Sequence, residues 1–476
     1  MRAGTSNDMH PLLLRLLDRV VSSGDITFVD ADGRPWRFGD GTGAPVRVRL
    51  ADRHLERELA LDPELAAGRA YMEGRLSIEE GSAGSFLDLM MRNVAATEFP
   101  AYSRTFAATR RLTRRLQQYN PLSSARRNVE HHYDIDPRIY DLFLDTDRQY
   151  SCAYFNGDIG LDEAQLAKKR HIAAKLDLKP GHKVLDIGSG WGGLAHYLAE
   201  VAEVDVTGIT LSQQQLAYSR SRAMRSRRPD RLRFEPCDYR EVQGRFDRIV
   251  SVGMFEHVGI NHYGTFFKQL GKLLDENGVV LLHTIGRAEP PAATNPFIAH
   301  YIFPGGYIPA LSEVVAEIER SNLIIADVET LRGHYAETLR HWRERFLAAR
   351  QEVIAIAGEP FARMWEFYLA GAEAAFRHWR LVVYQLQLAK RVDALPVTRD
   401  YIAANEAELR RREVGRGIAP GPPEGLPDHP AARVRADSAF AKGSSSCLSR
   451  GVHYGDDAGM TGTGPGGPPA PGRRLV

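Results

Sequence analysis

The period of the apolar positions changes several times along the chain, and each change marks an element. Leu13, Leu14, Leu16, Leu17, Val20 and Val21 recur at helical spacing and predict an amphipathic first helix. "ITFVDADGRPWRFGDG" and "VRVRLAD" then form short alternating segments with DG and GTG turn signals, the pattern of a small β-rich unit. "HLERELALDPELAAGRAYMEGRLSIE" and "SAGSFLDLMMRNV" return to helical spacing, so residues 1–100 are expected to form a small α+β domain. From Lys183 the apolar runs shorten. "KVLDIGSG", "EVDVTGITLS", "LRFEPCD", "FDRIVSVGM" and "GVVLLHTIG" read as strands buried on both faces, as in parallel sheets. Helical stretches such as "WGGLAHYLAEV" and "YGTFFKQLGKLLDENG" separate them, and this alternation predicts a doubly wound α/β sheet. After Tyr335 the chain reads as largely helical through Lys390.

Composition changes this picture at three places. At 476 residues the chain exceeds one typical domain, and 43% hydrophobic residues provide ample core. The net charge of +2 is uninformative, but residues 104–127 carry seven arginines and no acid. That stretch, a linker over 101–127, is either a solvated helix face or a basic segment that docks on anionic phospholipid. No nucleic-acid recognition motif accompanies the charge, so a nucleic-acid partner is not expected. Cys152, Cys237 and Cys447 lie far apart without a CxxC pair, which argues against a disulfide framework and a zinc knuckle and fits a reducing cytoplasm. The N-terminus has no cleavable signal pattern, and no run approaches the roughly 20 apolar residues of a membrane span. Any membrane contact is therefore expected to be peripheral. Residues 415–476 are rich in Pro and Gly and are expected to be a disordered tail.

"VLDIGSGWGG", residues 184–193, follows a predicted strand and opens a helix. Gly188, Gly190 and Gly192 let backbone approach a ligand, and the helix N-terminus adds a positive dipole end. A tight βα turn alone would also explain them. Asp186, two residues before the first glycine, fits S-adenosylmethionine (SAM) better than NAD. The second strand ends in "GITLSQQQ" without the acid that often holds a ribose. Thr210, Ser212, Gln213 and Gln215 offer hydroxyls and amides instead, with a helix cap at Ser212 as the structural alternative. Asp238 of "CDYRE" falls near the expected adenine. In "MFEHVG" the adjacent Glu256 and His257 cannot supply the three or four ligands of a metal site, and no His/Cys cluster joins them.

Together "HHYDIDPRIYDLFLD", "YSCAYF", "LDIGSGWGG", "GITLSQQQ", "MFEHVG", "HTIG", "FPGGYIP" and "HYAETLRHW" resemble, in order and spacing over residues 128–390, the cyclopropane-fatty-acyl-phospholipid synthases and mycolic acid cyclopropane synthases. The small N-terminal domain is similar to that of the phospholipid-acting branch. The resemblance implies a SAM-dependent methyltransferase domain over 128–400, with helical insertions at the lipid site, in a cytoplasmic protein resting peripherally on the inner face of the membrane. It leaves the oligomeric state open, a homodimer included.

The implied reaction moves a methylene from SAM to the cis double bond of an unsaturated phospholipid acyl chain. An alkene is a poor nucleophile, and its methylation leaves a carbocation that must lose a proton before the ring closes. The site must exclude water and supply a base. In the family that base is bound bicarbonate. By resemblance its cradle falls on backbone groups of Cys152 and Ile285 and on the side chains of Glu256, His283 and Tyr335. Read singly, His283 is better taken as a satisfied core histidine and Tyr335 as a partly buried aromatic; the five matched positions together reverse that reading. SAM contacts carried over are Tyr150, Ser151, the turn Gly188 to Gly192, Thr210, Leu211, Ser212, Gln213, Gln215, Asp238 and Tyr239. A relative that loses a different proton and leaves a methylene or methyl branch would use the same residues. "AFRHWRLVVYQLQLAK" departs from the family by placing His378 and Trp379 where a smaller, glycine-containing turn is common.

Overall fold

The computed structural model describes residues 9–97 and 135–418. The arginine-rich stretch, the opening of "HHYDIDP" and the tail beyond residue 418 lie outside the described residues.

In the N-terminal part, α1 (Pro11–Val20) buries Leu13, Leu17 and Val20 along one stripe. β1 (Ile26–Val29), β2 (Pro35–Phe38) and β3 (Val46–Leu50) follow, and β3 alternates buried Val46, Val48 and Leu50 with its arginines. α2 (Arg53–Leu61) starts where the Asp52 carboxylate accepts the Leu55 N–H at 2.8 Å. α3 (Pro63–Glu73) stops at Gly74, whose φ of +77° is open to glycine at little cost. The helical reading of "RLSIE" fails at that glycine: Leu76–Glu80 is β4, completing a sheet of order β2-β1-β3-β4. A capping box of Ser82 and Ser85 opens α4 (Ala83–Ala96).

The second part contains α5 (Pro137–Phe143), α6 (Leu161–Lys175), β5 (Lys183–Ile187), α7 (Gly193–Val201), β6 (Asp205–Ile209), α8 (Gln213–Met224), β7 (Leu232–Glu235) and β8 (Phe246–Val252). It continues through α9 (Tyr263–Leu273), β9 (Leu274–Arg287), α10 (Leu311–Glu319), β10 (Ile324–Leu331), α11 (His334–Ala348), α12 (Arg350–Ala357), α13 (Glu359–His378), β11 (Leu381–Ala389) and α14 (Asp400–Gly415). The seven-stranded sheet has the order β10-β11-β9-β8-β5-β6-β7. β5 pairs in parallel with β6 on one side and β8 on the other, so the strand order reverses there and a crevice opens beyond the carboxyl ends.

The expectation of a largely helical chain through Lys390 is corrected at its end. "LVVYQLQLA" is β11, antiparallel to both β9 and β10. Sandwiched between two strands and covered on both faces, it buries every residue from Val382 to Ala389, including Gln385 and Gln387. A strand of that kind has no polar face to betray its period.

α3 and α4 pack against α13, and one apolar cluster runs from Met9 to Val383 across both parts. The contact is close. A methyl group on Gly68 of α3 would lie 2.4 Å from the Phe297 ring.

Candidate active site

A cavity opens at the crevice, lined by Tyr150, Ser151, Asp186, Gly188, Gly190, Thr210, Leu211, Gln215, Asp238 and Tyr239, ten of the predicted cofactor contacts. Gly188 has φ +81°, and a Cβ there would meet Met254 Cβ at 2.7 Å, so only glycine fits. Gly190 faces open space, which leaves room for a ligand against bare backbone. Asp186 is buried with Oδ2 unpartnered among the described residues, and burial pushes its carboxyl up to about 7. A buried acceptor without a donor is costly unless a ligand supplies one. Thr210 Oγ1 donates to Gln215 Oε1 at 3.0 Å, while Arg240 clamps Asp238 through two contacts of 2.8 Å. Acid, amide, hydroxyls and an open glycine turn fit the amino-acid and ribose ends of SAM.

Three predicted contacts do not reach the cavity. Gly192 turns its Cα toward Phe234 and Ser219, where it opens α7. Ser212 Oγ accepts the Gln215 N–H and caps α8, so the structural alternative holds there. Gln213, in the first turn of α8, points to solvent.

Of the lining residues not named from sequence, Lys168 is the one with a clear structural role. Lys168 of α6 is fully buried, and its Nζ donates to Gln149 Oε1 at 2.8 Å and Ser151 Oγ at 2.7 Å. Burial lowers its pKa to about 8, with Asp145 opposing. It fastens the Gln149–Ser151 run to the floor of the cavity. In "LDEAQLAKKRH" this lysine looks like one of several on a solvated face, but Gln165, Lys168, Lys169, Arg170 and His171 are all buried. Nothing in the periodicity distinguishes it.

The predicted catalytic residues lie beside the cavity rather than in its lining. Glu256 sits in a single helical turn, Phe255–His257, directly after β8. Its Oε1 accepts the Ile285 N–H at 2.6 Å, and its Oε2 is buried without a partner among the described residues. Burial raises this carboxyl to about 7 against the pull of the Ile285 N–H. His283, on the same face of β9 as Ile285, is 2% exposed and held neutral by burial. Gln385 Nε2 lies 3.1 Å from its Nδ1, and with the amide donating the ring proton belongs on Nε2. The His283 carbonyl accepts from Gly253 at 2.9 Å and so ties β9 to the end of β8.

Cys152 and Tyr335 are joined through the first turn of α11. Ala153 N–H donates to Thr338 Oγ1 at 3.0 Å, and Phe155 N–H donates to His334 Nδ1 at 3.0 Å. The Cys152 thiol is pushed up to about 12 by burial and contacts the Ala153 carbonyl at 3.3 Å, which makes it a poor nucleophile. Tyr335 packs its ring 4.7 Å from Phe376 and 5.9 Å from Trp342. Tyr150 spans the two regions: it lines the cavity, stacks on Trp342 at 5.2 Å and meets the Tyr368 hydroxyl at 3.1 Å. His257 lines the cofactor cavity and is pushed down to about 4 by burial. It is a neutral wall of that pocket.

The sequence profile of the mycolic acid cyclopropane synthetase family matches residues 121–386. The cyclopropane-fatty-acyl-phospholipid synthase of Escherichia coli is 35% identical over 354 residues, 74% of this chain and 89% of that protein. The tuberculostearic acid methyltransferase of Mycobacterium tuberculosis is 33% identical, over 79% of this chain and 90% of its own length. Among solved structures, the cyclopropane synthase MmaA2 of Mycobacterium tuberculosis superposes with a TM-score of 0.55 at 34% identity, covering 57% of this chain and 99% of that one.

Proposed function

The chain belongs to the mycolic acid cyclopropane synthetase family of SAM-dependent methyltransferases, and from that premise we propose that it converts the cis double bond of a phospholipid acyl chain into a cyclopropane. The observation that carries this reading is Glu256: a buried carboxyl with one oxygen held by Ile285 N–H and the other unpartnered, at the strand ends beside the cofactor cavity.

SAM supplies the methyl group. Asp186, the Gly188–Gly190 turn, Thr210, Gln215 and Asp238 would hold it, and Lys168 keeps Tyr150 and Ser151 against it. Bicarbonate supplies the base. The orphan Oε2 of Glu256 would accept a hydrogen bond from it, while His283 Nε2–H and the Tyr335 hydroxyl would donate. Because His283 is kept neutral, it donates without competing for the proton. Cys152 contributes backbone only, and Ile285 acts through its backbone N–H, which holds the Glu256 carboxylate in place. The apolar surround of Trp342, Phe376 and Tyr368 excludes water that would otherwise quench a cation on the chain, and ring faces next to that carbon favour it electrostatically.

Among the described residues no helix is long and apolar enough to cross a membrane. The bilayer contact proposed here is peripheral, through the arginines of 104–127, on a cytoplasmic surface. A second reading, a methyl or methylene branch, is favoured by the similarity to the tuberculostearic acid methyltransferase. Mass spectrometry of lipids from expressing cells separates the two. A gain of about 14 mass units that survives mild hydrogenation supports the ring; a reducible product supports the methylene branch; no mass gain overturns both.

A further inference from the structure

A second pocket lies at the carboxyl ends of β9 and β10, bordered by Ala336 and Phe376 next to Tyr335. It is an open groove of about 780 Å³. Ala336, Phe376, Leu381 and Val382 give it an apolar floor. That floor adjoins the site already described on one side: Phe376 packs on Tyr335, and Leu381 lies on the same face of β11 as Val383, the partner of Ile285 across β9.

The rim is cationic. Arg332 follows β10, Arg377 ends α13 and Arg380 precedes β11, and all three are exposed. The acids nearby are already engaged. Asp88 meets His378 Nε2 at 2.7 Å, Glu337 pairs with Arg340, and Glu373 holds Arg377 at 2.9 Å. The Arg332 and Arg380 side chains form no ion pair with any described residue. Two uncommitted guanidinium groups thus border a groove whose apolar floor touches Tyr335 of the proposed reacting centre through Phe376. A guanidinium matches phosphate oxygens in shape and charge.

We propose that this cavity binds the phosphate of a glycerophospholipid between Arg332 and Arg380, with the glyceryl end of the acyl chain on the Phe376–Val382 floor. The lipid identity rests on the reading of the preceding section; the anion site rests on the cavity itself. α4 contributes Asp88, whose bond to His378 fixes one wall, so the N-terminal part shapes the headgroup site.

The test is titration calorimetry on the full-length protein with monomeric dihexanoyl phosphatidylglycerol. Dihexanoylglycerol and inorganic phosphate serve as the two half-ligands. The Arg332→Gln/Arg380→Gln protein is expected to lose about tenfold or more in affinity for the phospholipid and nothing for dihexanoylglycerol. The Arg332→Lys/Arg380→Lys protein, which keeps the charge, recovers part of the loss. Unchanged affinity in the doubly glutamine-substituted protein, or no phospholipid binding by the unmodified protein, overturns the site. Phosphate binding as tight as the phospholipid overturns the lipid assignment, because the floor would then contribute nothing. Turnover of an oleoyl phospholipid with SAM is read separately. Binding without turnover leaves the site and removes the methyl-transfer reading; turnover without binding does the reverse.

Discussion

Replacing Glu256 with Gln removes a charge while preserving shape, and the structure fixes what should follow. The glutamine carbonyl can still accept the Ile285 N–H that Glu256 Oε1 accepts at 2.6 Å. Its amide then occupies the place of the unpartnered Oε2, a constant cost of about 1 kcal/mol for a buried donor. Burial moves the wild-type carboxyl from 4.5 to about 7. The folded protein therefore holds that proton more tightly than the unfolded chain does. The resulting stabilisation is complete below about pH 4.5 and is lost as the pH rises through about 7, a swing of about 3 kcal/mol. The substituted amide has no proton to lose. Unfolding by urea should accordingly find Glu256→Gln slightly less stable than wild type near pH 5 and more stable by up to about 2 kcal/mol near pH 8. Turnover should fall by about a hundredfold or more while S-adenosylhomocysteine affinity stays within about twofold. A stability difference independent of pH would refute the buried-carboxyl argument. Parallel loss of cofactor affinity and turnover would refute the placement of Glu256 outside the cofactor cavity.

Three other outcomes are expected. Lys168→Met should weaken S-adenosylhomocysteine binding by about tenfold or more in calorimetry, because both hydrogen bonds that fasten Gln149 and Ser151 disappear; unchanged affinity would mean the run is held by other contacts. Glu413 of α14, which packs on α6, holds the buried Arg170 of α6 at 2.6 Å and accepts from Tyr197; Glu413→Ala should destabilise the protein by about 3 kcal/mol or more in thermal unfolding, and a change below about 1 kcal/mol would show that this pair does not fasten α14 to α6. Replacing Arg110, Arg111, Arg114 and Arg115 with Ser should lower flotation with anionic vesicles at low salt, with little effect on neutral vesicles; equal flotation would reject electrostatic docking.

The sequence by itself determined β5 to β8, the part of β9 from Gly278 onward, the glycine turn and the order of the motifs, because each depends on local signals. A five-residue apolar run between turn residues, or a glycine held at positive φ, declares itself within a few positions. Ten of the thirteen residues named for the cofactor line the cavity: Asp186, Gly188, Gly190 and Thr210 do so because they lie at the carboxyl ends of β5 and β6, whereas Tyr150 and Ser151, which precede α6, were named through the family resemblance. Only the tertiary structure decided the rest. Ser212 had two eligible roles, and the geometry of α8 uses its hydroxyl as a cap. β11 reads as helix until β9 and β10 close over it from both sides. Lys168 is an ordinary helical lysine until α6 is enclosed on every face, when the side-chain oxygens of Gln149 and Ser151 become its only hydrogen-bond acceptors among the described contacts. The unpartnered oxygen of Glu256, and the two uncommitted arginines over the second cavity, depend equally on which distant groups arrive and which do not. Burial and charge pairing are sums over the whole molecule, and no local pattern of residues contains them.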